Sequence, residues 1–379
     1  MEQSLPGRIG MLGGTFNPIH NGHIQMAQAA LEQIGLDRVL LMVDRDPPHK
    51  TVQDAIPASY RFEMARLAAQ ELGEPKIAAC DIELKREGKS YTIDTLRDLQ
   101  KRNPGAQLFC IVGGDMLKDL PNWKQAREIF RIAAIVAFAR EGLQGTEQQD
   151  AQRLREEFGA VVHLLNVAIP PISSTQVRQH IRDALPISGL LPLMVEKYLY
   201  ENGLYFPPFI KAMQEKLRAA LNNNRYQHTM GVVRCAQWLA QRYQVNSHQA
   251  RLAALLHDCG RGVDGGNLTH AKTSQRLARQ VYGVTDDAVL RAIGLHTTGA
   301  PDMDDLCKII YLADMIEPGR DYQGVAALRQ LAQRDLNLAV MAGLRQTIDF
   351  VQHNGKTVDP ASLETLEALQ RETQTISND

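Results

Sequence analysis

Two sets of residues in this chain have the types and spacings that chemistry needs. The first opens with GGTFNPIHNGH at Gly13–His23, a glycine turn followed by His20 and His23, three positions apart. Asn17 and Pro18 suit a turn, and helical periodicity follows, so a helix is expected to start near Asn21 or Gly22. Both imidazoles then lie roughly on one side of its first turn. A helix N-terminus presents unpaired N–H groups and a partial positive charge. Imidazole adds a hydrogen-bond donor when neutral and a charge when protonated. The combination suits a polyphosphate whose charge grows during reaction. The stretch is not G-x-G-x-x-G and lacks the lysine of G-x-x-x-x-G-K-[ST]. A second piece, ISSTQVR at Ile172–Arg178, offers Ser173, Ser174 and Thr175 as N-cap types and Arg178 near the same anion-friendly helix end.

The second set lies later. Six of the eleven histidines follow residue 205: His228, His248, His257, His270, His296 and His353. His228 sits on an amphipathic pattern, His257 and Asp258 are adjacent in ALLHDCGRG, His270 opens a helical pattern and His296 ends one. Asp314 stands in the otherwise apolar KIIYLADMIEPGR. A buried aspartate is costly unless paired or bound to a cation. Each of these residues alone reads as a core residue satisfied by backbone; the order H…HD…H…H…D reads as a metal site. Its imidazoles and carboxylates, with no thiolate, suit Fe, Mn, Zn, Co or Ni. His248 and His353 have polar surroundings and read as surface residues.

The elements that must hold these groups differ between the halves. Apolar runs at 8–14, 38–43, 76–84, 107–115, 133–140 and 161–167 alternate with helical patterns such as Ile24–Ile34 and Tyr60–Leu72. That alternation predicts an α/β Rossmann-like parallel sheet covered on both faces, with ligands at the carboxyl ends of its strands. Gly13–Gly14 and Gly113–Gly114–Asp115 fall at such ends. Beyond YLYENGLYFPPF helical patterns dominate, so the second half reads as all-α, with the border at 205/206 and domains 1–205 and 206–379. Composition is that of a soluble chain, 44% apolar and 22% charged with a formal net charge of −1. It supports neither a broad nucleic-acid surface nor a membrane span, and the N-terminal residues lack a signal-peptide pattern. The five scattered cysteines form no C-x-x-C and read as reduced thiols of a cytoplasmic protein.

The glycine turn with H-x-G-H and the later I-S-S-T-x-x-R together resemble the nucleotidyltransferase superfamily. PPHK (47–50), RFEMARLA (61–68), GKSYTIDTL (88–96), GGDML (113–117) and LPNW (120–123) narrow the resemblance, over residues 8–205, to bacterial nicotinate-mononucleotide adenylyltransferase. Many relatives have Asp where Asn17 stands. The resemblance implies in-line attack of the nicotinate-nucleotide phosphate on the α-phosphate of ATP, with Mg²⁺ on the phosphates. It implies that His20 and His23 hold the ATP phosphates, that Lys50 and Arg178 add positive charge, and that Ser173, Ser174 and Thr175 present a helix N-terminus. Gly13, Gly14, Thr15, Phe16 and Gly113 would line the ATP site, with Asp115 toward the nucleoside. Ser90, Tyr91, Thr92 and Trp123 would receive the nicotinate ring, Trp123 by stacking or else as a core anchor. The amide form of the acceptor stays open. Phosphopantetheine adenylyltransferase shares the H-x-G-H chemistry, but nothing in this chain favours its substrate.

Residues 209–353 resemble the HD-domain phosphohydrolase superfamily and, through LLHDCGRG, AIGLHTTG, KIIYLADMIEPGR and GVAALRQLA, its symmetrical diadenosine-tetraphosphate hydrolases. This implies two divalent metals, iron foremost. His228, His257, Asp258 and Asp314 would surround one, with His270 and His296 at the second and Asp258 bridging. Asp258 counts as catalytic, Arg261 would hold substrate phosphate, and Glu317, Arg320 and Asp321 would shape the pocket. Relatives usually have Gly where Ala271 stands. The whole reads as a bifunctional enzyme that makes nicotinate adenine dinucleotide and splits diadenosine tetraphosphate into two ADP, and a homo-oligomer is allowed. Two alternatives keep the transferase: the helical half as a regulatory nucleotide-binding module, or as a hydrolase of another nucleotide.

Overall fold

The computed structural model describes residues 7–46, 56–139, 146–263 and 269–376. It divides into two compact units, Met1–Arg178 with Ile187–Leu199, and Gln179–Pro186 with Tyr200–Asp379. The expected border at 205/206 compares with a division at Leu199/Tyr200, and packing accounts for the difference. The Tyr200 hydroxyl donates to Gln237, 3.0 Å away, and its ring meets Phe206 edge-on, so the aromatic run is core of the second unit.

In the first unit the strands are β1 (Arg8–Gly14), β2 (Arg38–Val43), β3 (Ile77–Cys80), β4 (Gln107–Gly113), β5 (Ala133–Phe138) and β6 (Val162–Leu165). All pair parallel, in the order β3-β2-β1-β4-β5-β6. The strand order reverses between β1 and β4, which opens a crevice at their carboxyl ends. The helices that begin in this unit are α1 (Asn21–Ile34), α2 (Ala58–Leu72), α3 (Thr92–Arg102), α4 (Ala126–Ile132), α5 (Thr146–Phe158), α6 (Ser174–Arg182) and α7 (Leu193–Glu201). Apolar side chains from the strands, such as Met11, Met42, Cys110, Ile135 and Ala137, pack with Ile93, Leu96 and Leu99 of α3, spaced three apart along its buried stripe. The expected runs at 76–84, 107–115 and 161–167 shorten to β3, β4 and β6, where sheet pairing ends.

The second unit is helical: α8 (Pro208–Ala220), α9 (Asn223–Arg242), α10 (Ser247–Leu256), α11 (His270–Gln280), α12 (Asp287–Leu295), α13 (Asp305–Ile316), α14 (Val325–Ala332), α15 (Leu336–His353) and α16 (Pro360–Ile376). Side-chain oxygens of Asn222, Asn246, Asp286, Asp304 and Asp335 accept from first-turn N–H groups and fix five of these starts. Almost every side chain of α13 is buried, which makes it the central helix around which the histidines gather. α16 was not expected. Its buried face carries Ser362, Thr365 and Leu369, so two hydroxyl residues mask the apolar stripe that periodicity would reveal. All five cysteines are free. Among the described residues no helix is long and apolar enough to cross a membrane.

Candidate active sites

The first site forms where β1 ends. The Thr15 hydroxyl donates to Asp44 Oδ2 (2.8 Å), Phe16 takes a φ of +46°, and the Asn17–Pro18 peptide is cis. The chain then enters α1 with His20 as N-cap. The His20 backbone N–H donates to His23 Nδ1 at 3.2 Å. That nitrogen therefore accepts, and the ring proton of neutral His23 sits on Nε2, ready to donate. The two rings stack with centroids 3.7 Å apart. Burial holds His20 down to about 4 and His23 well below the usual histidine value, the neighbouring His20 adding to the effect on His23. Both imidazoles are thus neutral donors near pH 7.

The second piece is bonded to this turn. Ser174 Oγ donates to the Pro18 carbonyl (2.8 Å), and Arg178 Nη1 donates to the Asn17 carbonyl (2.7 Å). Arg178 Nη2 also meets Thr175 Oγ1 at 3.3 Å, and Ser173 Oγ accepts the Gln176 N–H at 3.1 Å. The N-terminus of α6 and that of α1 consequently share one crevice. At the end of β4 a Cβ on Gly114 would run into the Phe138 carbonyl oxygen, and one on Gly113 would stand 2.6 Å from Asp115 Oδ1. Only glycine lets the backbone pass there and lets exposed Asp115 fold back over it. Ser90 is stitched to the end of β2: its Oγ accepts the Arg45 N–H (3.1 Å) and its N–H donates to the Asp46 carbonyl (3.0 Å). Thr92 begins α3. Lys124 Nζ sits 4.0 Å from the Tyr91 ring centroid and brings the PNW stretch beside KSYT. Trp123 is half-buried and packs against the core of the unit. Lys50 and the rest of PPHK lie outside the described residues.

A pair the sequence reading did not single out supports the turn. Arg61, 3% exposed, reaches the Thr15 carbonyl (2.7 Å) and Asp44 Oδ1 (2.9 Å) through Nη1, and the carbonyls of Ile56 and Arg45 (3.3 Å each) through its other nitrogens. Its signal was an arginine on the buried stripe of α2 with Met64, Ala65 and Ala68.

In the second unit, His228 of α9, His257 and Asp258 after α10, His270 of α11, His296 after α12 and Asp314 of α13 converge. His228, His257 and Asp314 offer ligand atoms within 4.8 Å of one another, and so do His257, Asp258 and His296. His270 Nε2 lies 3.0 Å from His296 Nε2 and 3.2 Å from Asp258 Oδ1. His257 and His296 use Nδ1 on the carbonyls of Ala254 (2.8 Å) and Ile293 (2.7 Å). A carbonyl only accepts, so these Nδ1 atoms carry the proton and the Nε2 lone pairs face inward. Among the described residues, fully buried His257 Nε2 has no hydrogen-bond partner. Such an inward-facing acceptor beside two carboxylates is what a bound cation would satisfy, and the residues fit one.

The electrostatics agree. Burial drives His257 down to about 4. Burial also acts against the charged carboxylates of Asp258 and Asp314, but the surrounding histidines hold both far below the usual carboxylate range. For His228 burial acts downward, yet hydrogen bonds to Asp314 (2.9 Å) and Glu317 (3.1 Å) carry it up to about 9. Cys259 is no competitor: burial pushes its thiol up to about 12, and it donates to the Ser274 carbonyl. Arg320 grips Asp314 Oδ1 at 2.6 Å, Arg261 lies 3.5 Å from Asp258 Oδ2, and Asp321 is exposed. His248 and His353 are exposed and apart from the cluster.

Residues 11–180 match the cytidylyltransferase-like family. Over 199 residues the chain is 43% identical to a probable nicotinate-nucleotide adenylyltransferase of Halalkalibacterium halodurans, spanning 52% of this chain and 91% of that protein. The chain belongs to the nicotinate-nucleotide adenylyltransferase family. A Synechococcus protein of the same description is 39% identical over 53% of this chain and 96% of its own length. Residues 225–319 match the HD domain family. A Clostridium acetobutylicum structure, described as a predicted HD superfamily hydrolase involved in NAD metabolism, is 35% identical over 43% of this chain and 97% of that one, with a TM-score of 0.41. An adenylyltransferase-like half is therefore fused to an HD half. The glycine turn and ISSTQVR lie within the first family's span, and His228, His257, Asp258, His270, His296 and Asp314 within the second's.

Proposed function

We propose that the chain is a cytoplasmic bifunctional nucleotide enzyme. Residues 1–205 transfer the adenylyl group of ATP to nicotinate mononucleotide, and residues 206–379 hydrolyse diadenosine tetraphosphate to two ADP. In the transfer, a phosphate oxygen of the mononucleotide attacks the α-phosphorus of ATP. The bond to the β-phosphate oxygen breaks and pyrophosphate leaves. The observation that carries this reading is the neutral, stacked His20–His23 pair at the N-terminus of α1, bonded through its turn to Ser174 and Arg178 of α6. His23 Nε2–H and the first N–H groups of both helices are donors fixed in place before charge builds on the leaving oxygens. Lys50 would add charge, and Mg²⁺ would travel with the ATP phosphates. Gly13, Gly14, Thr15, Phe16, Gly113, Asp115 and Ser173 would shape the ATP side, and Ser90, Tyr91, Thr92 and Trp123 the nicotinate side. Membership of the adenylyltransferase family supports this substrate choice.

For the hydrolase, water adds to one phosphorus of the tetraphosphate and the central P–O–P link opens. His228, His257, Asp258 and Asp314 would hold one divalent cation, and His270 and His296, with Asp258 shared, a second; iron is the first choice. When bound, such ions supply positive charge to phosphoryl oxygens and acidify a water. Arg261, whose Nη1 stays near Asp258, would meet substrate phosphate. The experiment uses the purified full chain. ATP with nicotinate mononucleotide should give nicotinate adenine dinucleotide and pyrophosphate, and diadenosine tetraphosphate with Mn²⁺ or Fe²⁺ should give ADP alone. His257→Ala should abolish only the second reaction and His20→Ala only the first. Equal loss of both in His257→Ala would contradict independent sites, and a tetraphosphate left intact by metal-loaded protein would remove that substrate.

A further inference from the structure

Glu317 closes α13 and is 4% exposed, yet the metal-binding set does not include it. Its carboxylate is built into place from three sides. Oε1 lies 3.1 Å from His228 Nδ1, and Oε2 accepts the Gly319 N–H at 2.6 Å. On α9, one turn beyond His228, stands Gly231, where a Cβ would run into Oε2. Arg329 fixes the backbone below by donating to the carbonyls of Ile316 (2.9 Å) and Glu317 (2.7 Å). On its far side, His228 Nε2 points to Asp314 Oδ1, 2.9 Å away, inside the group formed with His257.

We propose that Glu317 is the positioning residue for His228: it accepts from Nδ1, so that Nε2 offers its lone pair to a divalent cation shared with His257 and Asp314. The inference rests on the metal reading of the cluster. His257 and His296 obtain the same orientation from backbone carbonyls; His228 lies within α9, where the carbonyls are engaged in the helix, and a side chain must replace them. Gly231 is the second part of the device, because any side chain there would displace the carboxylate.

The test uses full-length protein and Mn²⁺ titration by calorimetry. Glu317→Gln keeps the shape but breaks the pattern. If its amide oxygen serves His228, its NH₂ faces the Gly319 N–H, donor against donor. Mn²⁺ should bind about 10–100-fold more weakly, with the far-UV circular dichroism and the metal-free melting temperature near those of wild type. Gly231→Ala should weaken Mn²⁺ in the same direction, and decides the matter if Glu317→Gln does not fold. An unchanged Mn²⁺ affinity in a folded variant overturns the proposal, including where the melting temperature falls. A wild-type protein that binds no divalent ion overturns the metal reading instead.

Discussion

Arg61→Met is the substitution whose cost the structure defines best. The guanidinium is 3% exposed, and its nearest charge, Asp44, is 14% exposed. Methionine fills most of the volume, so the loss is electrostatic. Asp44 Oδ1 loses its partner at 2.9 Å and the Thr15 carbonyl loses its donor at 2.7 Å. Breaking a buried pair from one side costs about 3–5 kcal/mol, because the remaining charge stays buried. The exposed pair Arg66–Glu63, five and two residues further along the sequence, is the internal control: its members are 49% and 33% exposed. Arg66→Met should therefore cost at most about 0.5 kcal/mol. Urea unfolding in a Trp238→Phe background leaves Trp123 as the only tryptophan and makes its fluorescence a reporter of the first unit. With a slope of roughly 1–3 kcal/mol per M, the Arg61→Met midpoint should fall by more than about 1 M. Adding Asp44→Asn removes the orphaned charge, so the double variant should be less damaged than the sum by about 2 kcal/mol. A loss below about 1 kcal/mol, or strict additivity, would refute the reasoning. Adenylyl transfer by folded Arg61→Met should drop about 100-fold, since a shift of the Thr15–His20 turn by an ångström misplaces both imidazoles.

Four further outcomes follow from the same geometry. The folded pKa of His20 is about 4, below the 6.5 of the unfolded chain, so the unfolded state takes up the proton first. The first unit should then lose stability as pH falls from 6.5 toward 4, by about 3 kcal/mol for this residue, and His20→Gln should blunt the loss in acid titrations of unfolding. The same depressed values predict a transferase kcat without a histidine limb between pH 6 and 8; a midpoint near 6.5 would mean that an imidazolium is required. Gly114→Ala should cost about 1–3 kcal/mol in the same urea assay and raise the KM for ATP, because the β4 turn must move off the Phe138 carbonyl. Addition of Mn²⁺ at about 100 times its Kd should stabilise the second unit by about 2.7 kcal/mol, followed by Trp238 in a Trp123→Phe background, with EDTA reversing it.

The strand–helix alternation and the change from an α/β to an all-α half were legible because parallel strands covered on both faces are apolar throughout, whereas the helices show a stripe. The histidines were legible because no core explains so many at helix ends. What stayed hidden depends on side chains meeting across the fold. Arg61 lies in a helix that reads as amphipathic, and nothing local says that its charge ends on Asp44, seventeen positions earlier. Glu317 sits in a polar run after α13, and its partner is eighty-nine positions away. α16 failed for another reason: hydroxyl groups on its buried face bond to their own helix, as Thr365 Oγ1 does to the Ala361 carbonyl at 2.6 Å, and so escape a test based on hydrophobicity.

Histidine type alone also left open how one chain could suit the residue to two unlike partners, and the backbone supplies the answer. At the first site a backbone N–H donates to His23 Nδ1, which places the ring proton on Nε2 and makes the other end of the ring a hydrogen-bond donor. A donor suits an anion and repels a cation. At the second site carbonyls accept from Nδ1 of His257 and His296, and the inward Nε2 becomes a lone pair. A lone pair suits a cation and is useless to a phosphate oxygen. The difference lies in where each ring stands on its helix. His23 is in the first turn of α1, where unpaired N–H groups are available to it. His257 and His296 immediately follow α10 and α12, where carbonyls are left over instead. For His23, His257 and His296, position relative to the helix end thus selects the tautomer, and the tautomer separates a ring suited to phosphate from one suited to a cation.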